Sequence, residues 1–377
     1  MRGPAVKPII IAAGGTGGHL FPAEALAAEL LRRGERIALM TDARSAAYDS
    51  AAFANAERFV LSGGGLSGRG IRRATRGAMQ LMAGTMQARR HLAMLMPSAV
   101  VGFGGYASFP PLAAARLMGA SRRPAIVLHE QNAVLGRANR LMARAADLLA
   151  LSFEGTANVP AGARTAVVGN PVRPALAALA GQPYPAPPNG GALRLLVTGG
   201  SQGARVFADV VPPAVAALPE AIRARLLVTQ QCRAEDLART ETAYRAAGVV
   251  ANLAPFFPDI AGRLATAHLV VARAGASTVA ELECAGRPSI LVPLPSAIDD
   301  HQNANARALA EADAAWVYPQ PSFTPAALTE RLAALFSVPE RLVAAAAAAS
   351  ALARPLAARD LADQVLALAR RATMGVA

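Results

Sequence analysis

The sequence predicts an α/β fold built from two doubly wound halves, and three observations carry that reading. Short apolar or β-branched runs alternate with helical patterns along the chain, the mark of parallel strands covered by helices. The 377 residues suffice for two domains. An apolar strand that runs into a glycine pair, then a third glycine and a helix, occurs twice, at residues 9–18 and 195–203.

In order, Pro8–Ala13 reads as the first strand, Pro22–Arg33 as a helix stopped by Gly34, and Arg36–Thr41 as the second strand. Further strands fit Ala99–Phe103, Ala125–His129, Leu148–Ser152 and Thr165–Val168. The segment GQPYPAPPNGG from Gly181 to Gly191 can be neither helix nor central strand, because prolines lack a donor and glycines lack restraint. It is an interdomain linker or a long surface loop. A second series of strands follows at Leu193–Thr198, Arg225–Thr229, His268–Ala272 and Ser289–Pro293. Val343–Ser350 is an almost pure alanine helix, and a last helix after Pro355 can cross back to the first domain.

Composition narrows the class. With 53% hydrophobic and 17% charged residues the chain is neither disordered nor low-complexity. Cys232 and Cys284 lie far apart without paired spacing, so no disulfide framework or zinc site is expected and a reducing compartment fits. The net charge is +13, but Lys7 is the single lysine and the arginines are scattered rather than gathered into a patch. Aromatics are 5% and not interleaved with arginines, which speaks against nucleic acid as a partner. The apolar run Ile9–Ala13 is cut short by Gly14 and Gly15, and no run reaches the roughly 18 apolar residues of a spanning helix. A cytoplasmic protein with peripheral membrane contact is expected.

Three glycine-rich turns hold the candidate chemistry, because glycines at a strand-to-helix junction leave backbone N–H groups open to an anion. The first is Gly14–His19, GGTGGH; it fails the dinucleotide pattern GxGxxG at Leu20, although Asp42 ends the next strand where a ribose contact would stand. The second, Gly102–Ala107, satisfies GxGxx(G/A). The third, Gly199–Arg205, lacks the GK[ST] ending of an ATPase loop. No DxD triplet is present to hold a nucleotide sugar through a metal.

The runs IIIAAGGTGGHLFPAEALA, VVGFGGYAS, LHEQNAVLGRANR, VVGNPVR, VTGGSQGAR and ARAGASTVAELECAGRPSILVPLPSAIDDHQNANA resemble, in this order and over nearly the whole chain, the MurG family of bacterial N-acetylglucosaminyltransferases. The resemblance implies a GT-B fold, two Rossmann-like domains separated by a cleft. Residues 1–172 form the acceptor- and membrane-facing domain, with helix 355–377 packing back on it, and residues 173–354 the UDP-sugar domain. It implies an enzyme that transfers N-acetylglucosamine, with inversion, from UDP-N-acetylglucosamine to the 4-hydroxyl of the N-acetylmuramic acid of lipid I. The product is lipid II for peptidoglycan, and the place of work is the cytoplasmic side of the cell inner membrane. Neither cofactor nor metal is implied. A sugar-nucleotide epimerase sharing the fold and the UDP site, but needing no lipid, is the alternative.

On this reading His19 is the base, an imidazole suited to proton pickup near neutrality; its alternative is merely to orient the turn. Gly14, Gly15, Thr16, Gly17, Gly18, Gly104, Gly105 and Tyr106 face diphosphate oxygens, and Thr16, Gly17 and Gly18 also count toward the donor. Ser201 and Gln202 meet the UDP diphosphate, aided by the dipole of the following helix. Arg173 and Arg273 match family arginines near the nucleotide. Glu281 matches a glutamate that binds the ribose hydroxyls, unless Thr278–Glu281 is simply a capping box. Phe257 lies against uracil, through backbone or ring. Asn132, Gln302 and Asn305 recognise the sugar; the chain has His301 where some relatives carry a glutamine, so no catalytic role falls to His301. Arg69–Met96, with its methionines among arginines, suits an interfacial helix as well as an ordinary half-buried one.

Overall fold

The computed structural model describes residues 7–15, 17–48, 50–63, 71–200 and 203–374. The chain divides into two compact units, Met1–Arg173 with Leu356–Ala377, and Pro174–Pro355.

The first unit holds a seven-stranded parallel sheet in the order β3-β2-β1-β4-β5-β6-β7. Its strands are β1 (Ile9–Ala12), β2 (Ile37–Asp42), β3 (Glu57–Leu61), β4 (Ala99–Gly102), β5 (Ala125–Glu130), β6 (Leu148–Leu151) and β7 (Thr165–Val167). Its helices are α1 (Gly17–Arg32), α2 (Ile71–Leu95), α3 (Gly105–Arg116) and α4 (Arg137–Met142). The second unit holds a six-stranded parallel sheet, order β10-β9-β8-β11-β12-β13. Here the strands are β8 (Leu193–Thr198), β9 (Leu226–Gln231), β10 (Val250–Ala254), β11 (Leu269–Ala272), β12 (Ser289–Leu291) and β13 (Ala315–Val317). The helices are α5 (Pro174–Ala177), α6 (Arg205–Ala216), α7 (Glu220–Arg223), α8 (Leu237–Ala246), α9 (Ile260–Thr266), α10 (Ala276–Ala285), α11 (His301–Glu311), α12 (Pro325–Ser337) and α13 (Pro339–Leu352). The last helix, α14 (Ala357–Met374), returns to the first unit.

Strand β1 shows why the middle of the sheet is apolar. Ile9 and Ile11 pack on Leu26 and Leu30 of α1 and on Leu361 and Val365 of α14, while Ile10 packs on the opposite side with Ala88 and Leu92 of α2 and Leu112 of α3. A strand covered on both faces has no polar position to offer. In the second unit Leu195 and Val197 of β8 meet Phe207 and Val211 of α6 and Leu328 and Leu332 of α12.

Three sequence expectations change. Helix α1 begins at Gly17, not Pro22. The proline sits inside the helix and only removes one donor, so His19 lies on the first helical turn rather than in the preceding loop. The Gly181–Gly191 segment is a surface loop within the second unit, held by Tyr184, whose hydroxyl donates to the His268 carbonyl. The chain crosses between units at Arg173–Pro174 instead. Strands β3, β10 and β13, which the reading of the sequence omitted, all lie on sheet edges. The alanine-rich end is apolar enough in composition to span a membrane, but as the sequence predicts it is two helices broken around Pro355. Leu342, Ala345 and Ala349 of α13 are buried in the second unit, Leu361, Ala362 and Val365 of α14 in the first.

Helix α2 has two unlike faces. Leu81, Ala88 and Leu92 are buried, and at Gly84 the helix lies so close on the Ser62 carbonyl that a Cβ would sit 2.0 Å from it. Gln87 accepts the Ser62 N–H at 2.8 Å. This fixes the helix's rotation and turns Met79, Met82, Met86 and Met94 outward, 55–67% exposed, beside exposed Arg76, Arg89 and Arg90. Of the predicted interfacial segment, Arg69 and Gly70 and the side chains of Ile71, Arg72 and Arg73 lie outside the described residues.

Two outcomes follow from this packing. Leu361→Ala empties a fully buried site shared by α14 and the first sheet and should cost about 2–5 kcal/mol of stability in urea unfolding. His129, buried at the end of β5 against the Gly169 carbonyl, is pushed by burial down to about 4. Below its ordinary value the unfolded chain takes up a proton that the native chain refuses, so its stabilisation is complete at neutral pH and is lost as pH falls toward about 4. Unfolding of wild type and His129→Gln at pH 7 and pH 5 should differ in pH response by about 2 kcal/mol, with the variant the flatter.

Candidate active site

Polar groups gather where the apolar sheets end. In the first sheet β1 and β4 are neighbours, and the chain leaves them in opposite directions, toward β2 and toward β5. Connections that diverge from adjacent strands open a crevice at the carboxyl ends. The first two glycine turns both lie there, one after β1 and one after β4. They touch: a Cβ on Gly14 would fall 2.8 Å from the Cβ of Ala107, so no larger residue fits. The Gly15 N–H donates to Ser45 Oγ at 2.7 Å, and the Ser45 N–H to Asp42 Oδ1 at 3.1 Å. Asp42 also pairs with Arg44 at 2.7 Å. The carboxylate that a dinucleotide reading would give to a ribose is thus spent on holding the first turn. Thr16 lies outside the described residues; Gly17 and Gly18 open α1, and Gly105 and Tyr106 open α3.

His19 is half-buried with its ring over the second turn; Cβ atoms on Gly104 or Gly105 would come 3.5 and 3.2 Å from it. Its Nδ1 lies 3.1 Å from Gln131 Oε1. Gln131 Nε2 reaches His129 Nδ1 at 2.9 Å and the His129 carbonyl at 3.0 Å, and His129 Nε2 reaches the Gly169 carbonyl at 3.0 Å. Next to this chain the buried Glu130 carboxylate accepts four hydrogen bonds, from the N–H and Nδ2 of Asn132, the Gly136 N–H and Asn139 Nδ2, all at 2.9–3.0 Å. Asn132 is therefore held within the first unit, by its neighbour two residues back. Arg173 also belongs to the first unit, with its guanidinium 4.8 Å from the Phe21 ring centre.

The second sheet repeats the arrangement with β8 and β11 as the diverging neighbours. At Gly199 a Cβ would lie 2.3 Å from the Ala204 nitrogen, so the third turn closes only around glycine. Gln231, ending β9, pins it: Oε1 accepts from Thr198 Oγ1 and the Gly199 N–H at 3.0 Å, and Nε2 donates to the carbonyls of Gly200 and Pro255. The same side chain thus ties the turn to the loop that carries Phe257. Ser201 and Gln202 lie outside the described residues; helix α6 starts just beyond.

The remaining predicted residues divide. Glu281 is half-buried in α10, whose N-cap is Gly275; Thr278 is already inside the helix, so the capping box does not form. The Phe257 ring is buried beneath Arg263, 3.9 Å away, which leaves its backbone for any ligand. Gln302 Oε1 accepts the Leu294 N–H at 3.0 Å, and His301 Nδ1 donates to the Ile298 carbonyl at 2.7 Å. Two of the predicted residues are bonded within the protein. Arg273 is buried, and its Nη atoms bond the Val292 and Pro293 carbonyls and Gln320 Oε1, with burial lowering its pKa. Asn305 is fully buried and donates to the Ala274 carbonyl. Both brace the ends of β11 and β12 from inside. Gln131, Glu130, Asn139 and Gln231 were missed; for all but Asn139, which lies in α4, the available signal was a polar side chain at or just past the carboxyl end of an otherwise apolar strand.

Residues 9–150 match the glycosyltransferase family 28 N-terminal domain and residues 194–365 the family 28 C-terminal domain. The chain is 58% identical over 364 residues to the UDP-N-acetylglucosamine–N-acetylmuramyl-(pentapeptide) pyrophosphoryl-undecaprenol N-acetylglucosamine transferase of Granulibacter bethesdensis, covering 97% of this chain and 94% of the relative. The transferase of the same name from Acidiphilium cryptum is 54% identical, over 98% of this chain and all of its own length. The crystal structure of Acinetobacter baumannii MurG matches with a TM-score of 0.76 at 29% identity, covering 96% of this chain and 99% of that one. A putative UDP-N-acetylglucosamine 2-epimerase from Listeria monocytogenes, 13% identical with a TM-score of 0.65 over 94% of both chains, shares the fold alone. With its two Rossmann-like units of the GT-B class and relatives of this identity over almost its full length, the chain belongs to the MurG family within glycosyltransferase family 28.

Proposed function

We propose that this protein is an inverting N-acetylglucosaminyltransferase that carries N-acetylglucosamine from UDP-N-acetylglucosamine to the 4-hydroxyl of the N-acetylmuramic acid of lipid I, forming lipid II for peptidoglycan. The observation that carries the reading is identity of 51–58% with transferases of that name over nearly the whole chain.

The residues then take these roles. As the 4-hydroxyl oxygen attacks the anomeric carbon, His19 Nε2 takes its proton; the bond from that carbon to the UDP oxygen breaks on the opposite side, and the α-linked donor gives a β-linked product. Gly14, Gly17, Gly18, Gly104, Gly105 and Tyr106 supply N–H donors to the acceptor diphosphate, while the Gly15 N–H, bonded to Ser45, shapes the first turn. UDP departs without a proton, its charge met by the third turn, with Ser201 and Gln202, and by the dipole of α6. Glu281 holds the ribose hydroxyls, the Phe257 backbone faces uracil, and Gln302 contacts the sugar. Arg273 and Asn305, engaged by the protein itself, brace this site from behind. The exposed methionines of α2, flanked by arginines, fit an anionic lipid surface, and they seat the enzyme peripherally where an undecaprenyl acceptor resides.

Transfer of labelled N-acetylglucosamine to a lipid I analogue should fall roughly 10²- to 10⁴-fold in His19→Ala with the circular dichroism spectrum kept; undiminished turnover would remove His19 from the chemistry. Wild type without lipid should release neither free sugar nor epimer. Replacing Met79, Met82 and Met86 together by Gln should weaken sedimentation with anionic vesicles roughly ten-fold while leaving the unfolding midpoint in place.

A further inference from the structure

The hydrogen bonds behind His19 have only one consistent direction. A carbonyl oxygen can only accept, so His129 Nε2, 3.0 Å from the Gly169 carbonyl, carries a proton. His129 is fully buried and faces no carboxylate in these bonds; its ring neighbour is Phe103, at 5.4 Å between centres. As a neutral imidazole it therefore accepts at Nδ1. The atom 2.9 Å from that Nδ1 is an amide atom of Gln131, and the same atom lies 3.0 Å from the His129 carbonyl. Turning the amide over would press its oxygen against two acceptors at once. Two main-chain carbonyls thus orient the glutamine independently of how nitrogen and oxygen are distinguished, and its Oε1 faces His19 Nδ1 at 3.1 Å. An oxygen that can only accept requires a proton on that nitrogen.

We infer that Gln131 and His129 are positioning residues for the transfer: with the Gly169 carbonyl as anchor, they hold His19 as its Nδ1-protonated tautomer and leave Nε2 with its lone pair over the second glycine turn. The inference rests on the reading of His19 as the base and deepens it. A free imidazole side chain favours the opposite tautomer, with the proton on Nε2, and in that form His19 would have no lone pair to offer at the turn. When Nε2 takes up the hydroxyl proton, the positive charge spreads to the Nδ1–H, which already points at the amide oxygen. An amide serves here because it orients the ring without adding a charge of its own next to a diphosphate.

Long-range proton–nitrogen correlation spectra of the full chain labelled at its five histidines, with the His19 signals assigned by their loss in His19→Gln, read the tautomer directly. Wild type should show Nδ1 protonated and Nε2 bare; a protonated Nε2, or a mixture, overturns the inference without any variant having to fold. In Gln131→Leu the preference should relax toward the free-imidazole form, and kcat should drop roughly ten- to hundred-fold with the KM for UDP-N-acetylglucosamine unchanged. A rise in KM at constant kcat would mean that Gln131 only shapes the site, and would refute the positioning role. If His19→Ala kept its turnover, the base reading would fall and take the catalytic purpose of the hydrogen-bond chain with it, whereas the spectra would still decide the tautomer separately.

Discussion

A parallel strand covered on both faces can carry chemistry only at its end. Ile9–Ala12 and Ala99–Gly102 are buried along their whole length and pair in register, so the first polar atoms the chain can present are those of the turns that follow them. Because the two strands are neighbours whose connections diverge, the two turns arise side by side and open the same crevice. The second sheet obeys the same constraint at β8 and β11. Much of the rest, from the glycines that allow the turns to close to the polar side chains that hold them, follows from that placement.

Turns of glycine are soft, and the first and third are stiffened by polar side chains from neighbouring elements. Gln231 does this for the third turn with both ends of its amide, and Ser45 with Asp42 does it for the first. In the first unit Glu130 gathers four donors, from Asn132, Gly136 and Asn139, which organises the segment after β5 from which Gln131 reaches His19. Buried polar groups of this kind are costly unless satisfied. Apart from Asn139 Oδ1 they are satisfied by one another and by main-chain groups, which holds the turns in place before any ligand arrives.

Central strands were legible as continuous apolar runs such as IIIA and LVVA, and so were the three turns, because only glycine permits their close approaches. The omitted strands β3, β10 and β13 are sheet edges, and an edge needs fewer apolar residues: Glu57 and Val60 of β3 stand in solvent. The proline in α1 was misread as a helix start because its missing donor suits a first turn, whereas the native helix tolerates the loss one turn later. Composition left the Pro-Gly segment at 181–191 as an interdomain linker or a surface loop, and it is the loop, anchored inside the second unit by Tyr184.

The sequence by itself determined the two-sheet architecture, the places of the glycine turns and the residue types beside them, since these depend on backbone sterics and on local apolar pattern. Tertiary structure decided what each polar side chain is bonded to. Arg273 and Asn305 carry groups that suit a phosphate or a sugar, but carbonyls from distant strands reach them. Gln131 carries no signature of its own, and it matters because folding sets its amide between His129 and His19, 112 residues apart from the latter in sequence. A hydrogen bond depends on a distance of about 3 Å and on direction, and neither is written in a residue's type or its spacing along the chain.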